Sequence, residues 1–383
     1  MKENIKVAIR KLISPSMRFE LRETAAWLKE QLNLARIWNW EFTRLPNRFD
    51  STYKILYLGR KVHREWANSI LFDIRNSSDR TQIGANLSSH TVLVSELPIP
   101  GALSVPKYLR AIVPLGRPIE EIMAGYDSEL RRSLRKHRSS YRMQQVLDNS
   151  EVGRLNLDML EPFAIARHGS FAMKLPLERV RRIAMEYGKL DLLLKENEEV
   201  GCLLAYSYVY AGKHYWFIDS FGYTEAVFSD PKRLREANSM NTQLGLEWAI
   251  ENGFDYYDIG LCSARPDDGI LKWKRRRGAV PETIGLRGYN PFHIRLPKVG
   301  TAQFLWDSPL FAIERRKLTL HLGLPDGLSD DEISKRYREM GFAGLFKVYL
   351  HCAKPPGEPL LETLRGFYAH QKSPPIVEIR TSA

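Results

Sequence analysis

LDLLLKENEEVGCLLAYSYVYAGKHYWFIDSFGY, residues 190–223, is the stretch whose reading decides the fold. It holds three β-rich runs, Leu190–Lys195, Val200–Tyr210 and His214–Tyr223, joined by Asn197-Glu198-Glu199 and by a turn containing Gly212. Runs this close together leave no room for a crossover, so they predict an antiparallel meander. Downstream, Asp230-Pro231 opens a loop, and an amphipathic helix is expected over about 235–251 with Ala237, Met240, Leu244 and Trp248 inward. Asn252-Gly253 stops it, and the strand Phe254–Gly260 follows at once. Upstream, Leu160–His168 and Leu177–Tyr187 read as helices. Pro118 marks a helix start with Glu120 and Glu121 in its first turn. Leu130, Leu134 and Tyr141 then fall at helical spacing beside a basic row of Arg131, Arg135, Arg138 and Arg142.

The flanks are plainer. Residues 1–115 read as a small α/β module, or as a degenerate copy of the later fold in tandem with it. Its helix over Phe19–Leu34 carries Leu21, Ala25, Leu28 and Leu32 on one apolar face. A strand at Tyr53–Leu58, a helix over His63–Ile74 and a strand at Thr91–Val94 complete it, and Pro98 and Pro100-Gly101 break the chain. Residues 291–383 read as a mostly helical extension, with helices near Leu310–Leu320 and Asp330–Met340, the latter capped by Ser329. The middle segment, 116–290, is the expected catalytic domain.

The 383 residues are 44% hydrophobic and 27% charged, which describes a folded globular chain. Three scattered cysteines, Cys202, Cys262 and Cys352, exclude a disulfide framework and offer no paired zinc ligands. With no signal-like apolar run after Met1 and no stretch near the roughly 20 apolar residues that span a bilayer, a cytoplasmic location and no transmembrane segment are expected. The net charge of +12 favours an anionic partner: nucleic acid, a membrane surface or a phosphate-bearing small molecule.

Three motifs carry a family resemblance. They are Leu130-Arg131-Arg132-Ser133-Leu134-Arg135-Lys136, the strand end Tyr257-Asp258-Ile259-Gly260, and Gly269-Ile270-Leu271-Lys272-Trp273-Lys274-Arg275-Arg276-Arg277-Gly278-Ala279. In this order, over residues 117–285, they resemble the Arg-rich helix, the Asp-x-Gly strand end and the aromatic-Lys turn of the FemAB-like branch of the GNAT acyltransferase superfamily. The resemblance implies an α/β (α+β) fold of GNAT type, a mixed, largely antiparallel sheet flanked by helices. It also implies transfer of an acyl or aminoacyl group to an amine, with aminoacyl-tRNA or acyl-CoA as donor co-substrate and no tightly bound cofactor. Two family patterns are missing. The glycine turn that cradles the CoA pyrophosphate before the long helix reads Pro231-Lys232-Arg233-Leu234-Arg235-Glu236 here, and no helical-hairpin arm is inserted.

Amide formation needs an oxyanion stabiliser and a proton acceptor. The resemblance points to Lys274 as the stabiliser, against the reading of one more solvated charge in a basic run. Asp219, in an aromatic strand, and His168, after a helix, are the candidate bases, and each residue type is as common in structural roles. Arg131, Arg135 and Arg138 suit a phosphate-bearing donor or tRNA, because guanidinium forks bind phosphate bidentately. Lys272, Trp273, Tyr257 and Asp258 complete the substrate-binding candidates. No residue set suggests a metal. Cys262 is the one thiol near a motif, with no histidine beside it in sequence. The acceptor is a small-molecule or peptide amine. A non-catalytic protein that binds RNA or another polyanion is the alternative.

Overall fold

The computed structural model describes residues 15–45, 53–72, 88–168, 175–342, 344–369 and 373–381. The fold is mixed α/β: three sheets, mostly antiparallel, flanked by helices. The chain divides into two compact units, each gathered from separated segments. The first comprises the described residues up to Leu21, Ile112–Gly260 and Arg276–Ala279. The second comprises Arg22–Ala111, Leu261–Arg275 and the described residues from Val280 onward.

The first unit is built on the meander. Gly188–Lys195, Glu198–Tyr210 and Lys213–Tyr223 pair antiparallel, with Tyr141–Gln145 at the outer edge. The 21-residue helix Pro231–Glu251 begins four residues before the expected start, because Pro231 fits the first helical position and Asp230 caps it. It buries Ala237, Met240, Leu244, Leu246 and Ala249, and ends before Gly253, whose φ of 72° only glycine adopts freely. The arginine helix runs Ser128–His137 and buries Leu130 and Leu134. Its expected basic row is cut there: Arg138 lies in a 3-10 turn and Arg142 in a strand.

The second unit has a five-stranded sheet and a four-stranded one. The four-stranded sheet corrects an expectation. Residues 310–320 form no helix; Leu310–Glu314 and Lys317–Leu324 are an antiparallel hairpin. Its two-residue turn, Arg315-Arg316, has φ of 51° and 65°, the left-handed pair that matches strand twist. Lys347–Cys352 and Ile376–Thr381 extend the sheet in parallel, so residues 291–383 carry strands as well as helices. Asp330–Met340 is helical, with Ser329 and Glu332 forming a capping box.

The helix Pro15–Leu34 forms where the periodicity places it, but its apolar face is turned outward. Leu21, Leu28 and Leu32 are 51%, 51% and 67% exposed, while Glu23 and Glu30 are buried. Glu23 accepts the amide of Arg287 and Glu30 accepts two bonds from Arg60. Ion pairing and hydrogen bonding decide this helix's orientation against its own hydrophobic pattern.

Candidate functional site

The meander's third strand forks from its parallel neighbour. Tyr256–Ser263 pairs with Lys213–Tyr223 only at Tyr256↔Tyr215, Tyr257↔Trp216 and Asp258↔Phe217. On its other side, the third strand passes from Ile218 opposite Ala205 to Ser220 opposite Leu204. Asp219 is therefore the extra residue of a β-bulge, two positions past the end of the parallel ladder. Bulges interrupt the alternation of side chains and re-aim the residue they insert. Asp219's side chain is only 6% exposed, and its Oδ1 accepts from Arg179 Nη2 at 2.9 Å.

A stack of mostly buried aromatic rings lies beside the paired part of the ladder. Phe19 stacks on Tyr208, Tyr208 on Tyr215 and Tyr215 on Tyr256, with centroids 4.7–4.8 Å apart. Tyr206 meets Phe217 edge-on at 5.0 Å. Asp258, fully buried at the end of the ladder, accepts from Tyr208 Oη at 2.9 Å and from the Gly260 amide at 2.8 Å. Gly260 has φ of 82°, so this carboxylate stabilises a kink within the strand that only glycine makes easily. Tyr257 points to the opposite face, where its hydroxyl donates to the Thr242 carbonyl and burial drives its pKa well up. It is core under the long helix, as is Trp216, which packs against the half-buried Trp248 of that helix and Phe254.

The structure separates the other sequence candidates. Lys274 lies not in a turn but in the helix Gly269–Arg275, started by the Asp268 carboxylate accepting the Leu271 amide. It is buried, and its Nζ donates to the Leu261 carbonyl at 2.8 Å, directly after Gly260. Lys272 and Trp273 are half-buried in the same helix. The rest of the basic run bonds internally. Arg275 donates to the carbonyls of Glu339 and Gly341, Arg276 pairs with Asp127 at 2.7 Å, and Arg277 is buried and donates to Ser239 Oγ at 3.0 Å. Burial pulls the Arg277 pKa down to about 10. Arg131 is half-buried, Arg135 is exposed, and Arg138 pairs with Glu247 at 2.8 Å. His168 closes the helix Glu161–His168, and its side chain lies outside the described residues. Cys262 is buried and its thiol faces the Leu109 carbonyl.

The start of the long helix answers the question of the missing glycine turn. Asp230 Oδ1 accepts from the amides of Lys232 and Arg233 at 2.8 and 3.2 Å. These are the N–H groups that an incoming pyrophosphate would use. They hold the Asp230 carboxyl below its usual pKa, so a fixed anion already occupies the position.

In the second unit, a buried ionic cluster had no sequence signal. Glu96, with a fully buried side chain, accepts from Tyr57 Oη, from the Arg60 amide and guanidinium, from Lys107 Nζ at 3.1 Å, and faces His63 Nδ1 at 2.8 Å. Glu30 accepts two further bonds from Arg60. The members come from well-separated segments, so no spacing reveals them. Ligand atoms of Glu30, His63 and Glu96 lie within 4.8 Å of one another, a possible metal grouping. Lys107 Nζ and Arg60 Nη2 each lie 2.9 Å from His63 Nδ1 and fill that place, so built-in cations do what an ion would do. The cluster ties the helix Pro15–Leu34 to the ends of the adjacent strands Lys54–Arg60 and Thr91–Ser95.

No family model matches the chain, and no curated protein matches it. Solved structures give distant likenesses. FemX is 10% identical with a TM-score of 0.37, covering 69% of this chain and 90% of that one. L-PGS from Bacillus licheniformis is 11% identical with a TM-score of 0.32, covering 75% and 95%. A GCN5-related N-acetyltransferase from Anabaena variabilis is 9% identical with a TM-score of 0.29, covering 72% and 62%. At this distance the likeness assigns no activity to this chain.

Proposed function

We propose that this chain transfers an acyl or aminoacyl group to an amine, with the reacting centre at the fork between Lys213–Tyr223 and Tyr256–Ser263. The observation that carries the reading is the bulge at Asp219 falling just beyond the last parallel pair. Where the strands part, their backbone groups no longer bond each other, and an acyl amide or carbonyl can take them up as an added strand would. The amine nitrogen attacks the acyl carbon, the carbonyl becomes an oxyanion, and its collapse breaks the donor's ester or thioester bond, releasing a hydroxyl or thiol that takes up the proton lost by the amine. Asp219 accepts the amine proton, and Arg179 keeps its carboxylate aimed. His168, on a neighbouring helix of the same unit, is the second candidate base. Lys274 acts by position, tying the helix Gly269–Arg275 to Leu261 in the strand Tyr256–Ser263.

The donor is a phosphate-bearing ester such as aminoacyl-tRNA rather than CoA. The capped start of the long helix supports this, since the Asp230 carboxylate would repel a pyrophosphate. Arg131 and Arg135 offer guanidinium groups to such a donor. The polyanion-binding alternative draws on the net charge, but Lys274, Arg275 and Arg277 bond to groups within the protein, and the exposed Arg276 is paired with Asp127.

The test is a transfer assay with amine acceptors and two donors, aminoacyl-tRNA and acetyl-CoA. Wild-type protein should use the first and bind the second weakly by calorimetry. Asp219→Asn should lower kcat about a hundredfold, within the usual range for a lost general base. Unchanged turnover in Asp219→Asn removes the assigned role, and micromolar CoA binding removes the donor assignment. Steeply salt-dependent RNA binding without any transfer would favour the polyanion reading.

A further inference from the structure

The segment 22–44 exposes the wrong side of an amphipathic pattern. Trp27, Leu28 and Leu32 on the helix, Ile37 and Trp38 on the following 3-10 turn, and Phe42 on the edge strand Trp40–Leu45 are 44–76% exposed. Scattered exposed apolar residues need no explanation, but six large ones on three consecutive elements do. The charges of the same segment are sorted. Arg22, Lys29, Arg36 and Arg44 are exposed, whereas Glu23 and Glu30 are buried and Glu41 is half-buried against Arg64. No acidic residue of 22–44 is exposed.

We infer that this segment docks on the surface of an anionic lipid bilayer. Leucine, isoleucine and tryptophan between exposed arginine and lysine is the composition of an in-plane interfacial element, with rings at headgroup depth and cations on lipid phosphates. Each cation close to an anionic leaflet adds attraction, and the net charge of +12 acts in the same direction. A second copy of the chain is a poorer occupant, because a self-complementary contact would bring like charges together. Nucleic acid would use the cations but gains little from Leu28, Leu32 and Ile37. The described residues contain no helix long and apolar enough to cross a membrane, so the contact is peripheral. The inference is independent of the transfer activity.

The experiment is sedimentation of the full chain with phosphatidylcholine vesicles, with and without phosphatidylserine as about a third of the lipid. The protein should sediment with the anionic vesicles, less so as salt rises. Its tryptophan emission should shift to the blue, and bromine-labelled acyl chains should quench it. The triple variant Leu28→Ser, Leu32→Ser, Trp38→Ser should lose at least tenfold in vesicle binding while its circular dichroism stays unchanged. If that variant misfolds, quenching of the wild-type protein by brominated lipid still decides the matter. No binding of wild type, binding without quenching, or a wild-type dimer that the triple variant disperses would each overturn the proposal.

Discussion

Two buried carboxylates, Glu96 in the second unit and Asp258 in the first, sit in different settings. Glu96 faces the formal charges of Arg60 and Lys107 at 2.6 and 3.1 Å, with the His63 imidazole at 2.8 Å. Asp258 takes a phenol hydroxyl and a backbone amide. Opposed full charges out of water are expensive to bury, and they are brittle once one partner is removed. Asp258 sits at a kink of its strand, at the end of the parallel ladder. The first arrangement serves anchoring; the second is compatible with chemistry.

Removing the charge is the strongest way to break this contrast. Glu96→Gln leaves Glu30 as the remaining carboxylate for both Arg60 and Lys107 in a buried place, and should cost about 3–5 kcal/mol of stability in urea titrations. Adding Lys107→Met should recover a large share of it, because an apolar stem then replaces an orphaned ammonium; no recovery would mean that the cluster is not charge-balanced.

Acid tests the same idea without mutation. Its neighbours hold the Glu96 carboxyl far below the usual range, so its stabilisation is present above about pH 4.5 and lost as pH falls further. A second buried pair in that unit titrates earlier. His321 Nδ1 and His351 Nε2 are 3.0 Å apart, and burial pulls their pKa values down to about 3 and about 4. Both are neutral in the fold, while the unfolded chain takes up protons below about pH 6.5. Stability contributed by the pair is thus full above pH 6.5 and falls below it, by about 1.4 kcal/mol per pH unit for each histidine until its folded pKa is reached. Urea midpoints between pH 7 and pH 5 should show this slope, and His321→Leu should flatten it.

The Asp258 side of the comparison predicts a smaller stability effect with a larger functional one. Asp258→Asn should cost about 1–2 kcal/mol, measured by thermal melting, while lowering transfer rates by at least tenfold. Stability loss of the Glu96 size would show that Asp258 is an anchor too. The smallest change belongs to the surface. Arg233 pairs with Glu198 at 2.7 Å in the open, and Arg233→Ala should cost less than about 1 kcal/mol by the same melting experiment.

Much of the first unit was readable in advance. The meander, the long helix with its Gly253 stop and the strand through Asp258 follow from local periodicity and turn chemistry, which operate within a few residues. The bulge at Asp219 was not readable, because a bulge is a property of two strands in register. The hairpin at Arg315-Arg316 was missed for a related reason. Its run of Leu, Phe, Ala and Ile suits a helix or a buried strand equally, and no Asn-Gly or Gly marks the turn. The basic run 272–277 invited a reading as free charge, and only tertiary partners show that most of it is engaged.

The amino-acid sequence alone determined the order of the meander strands and where each ends, which carboxylates sit in strands, and that the glycine cradle is absent. Tertiary structure alone decided that Asp219 is inserted at a fork, that Lys274 is buried against Leu261, and that Glu30 rather than Leu28 faces inward. The physical reason is range. Periodicity and capping are local and written in neighbouring residues. The pairing of Glu30 with Arg60, and of Glu96 with Arg60, His63 and Lys107, joins residues far apart in the chain, and their combined energy outweighs the hydrophobic preference of one helix face.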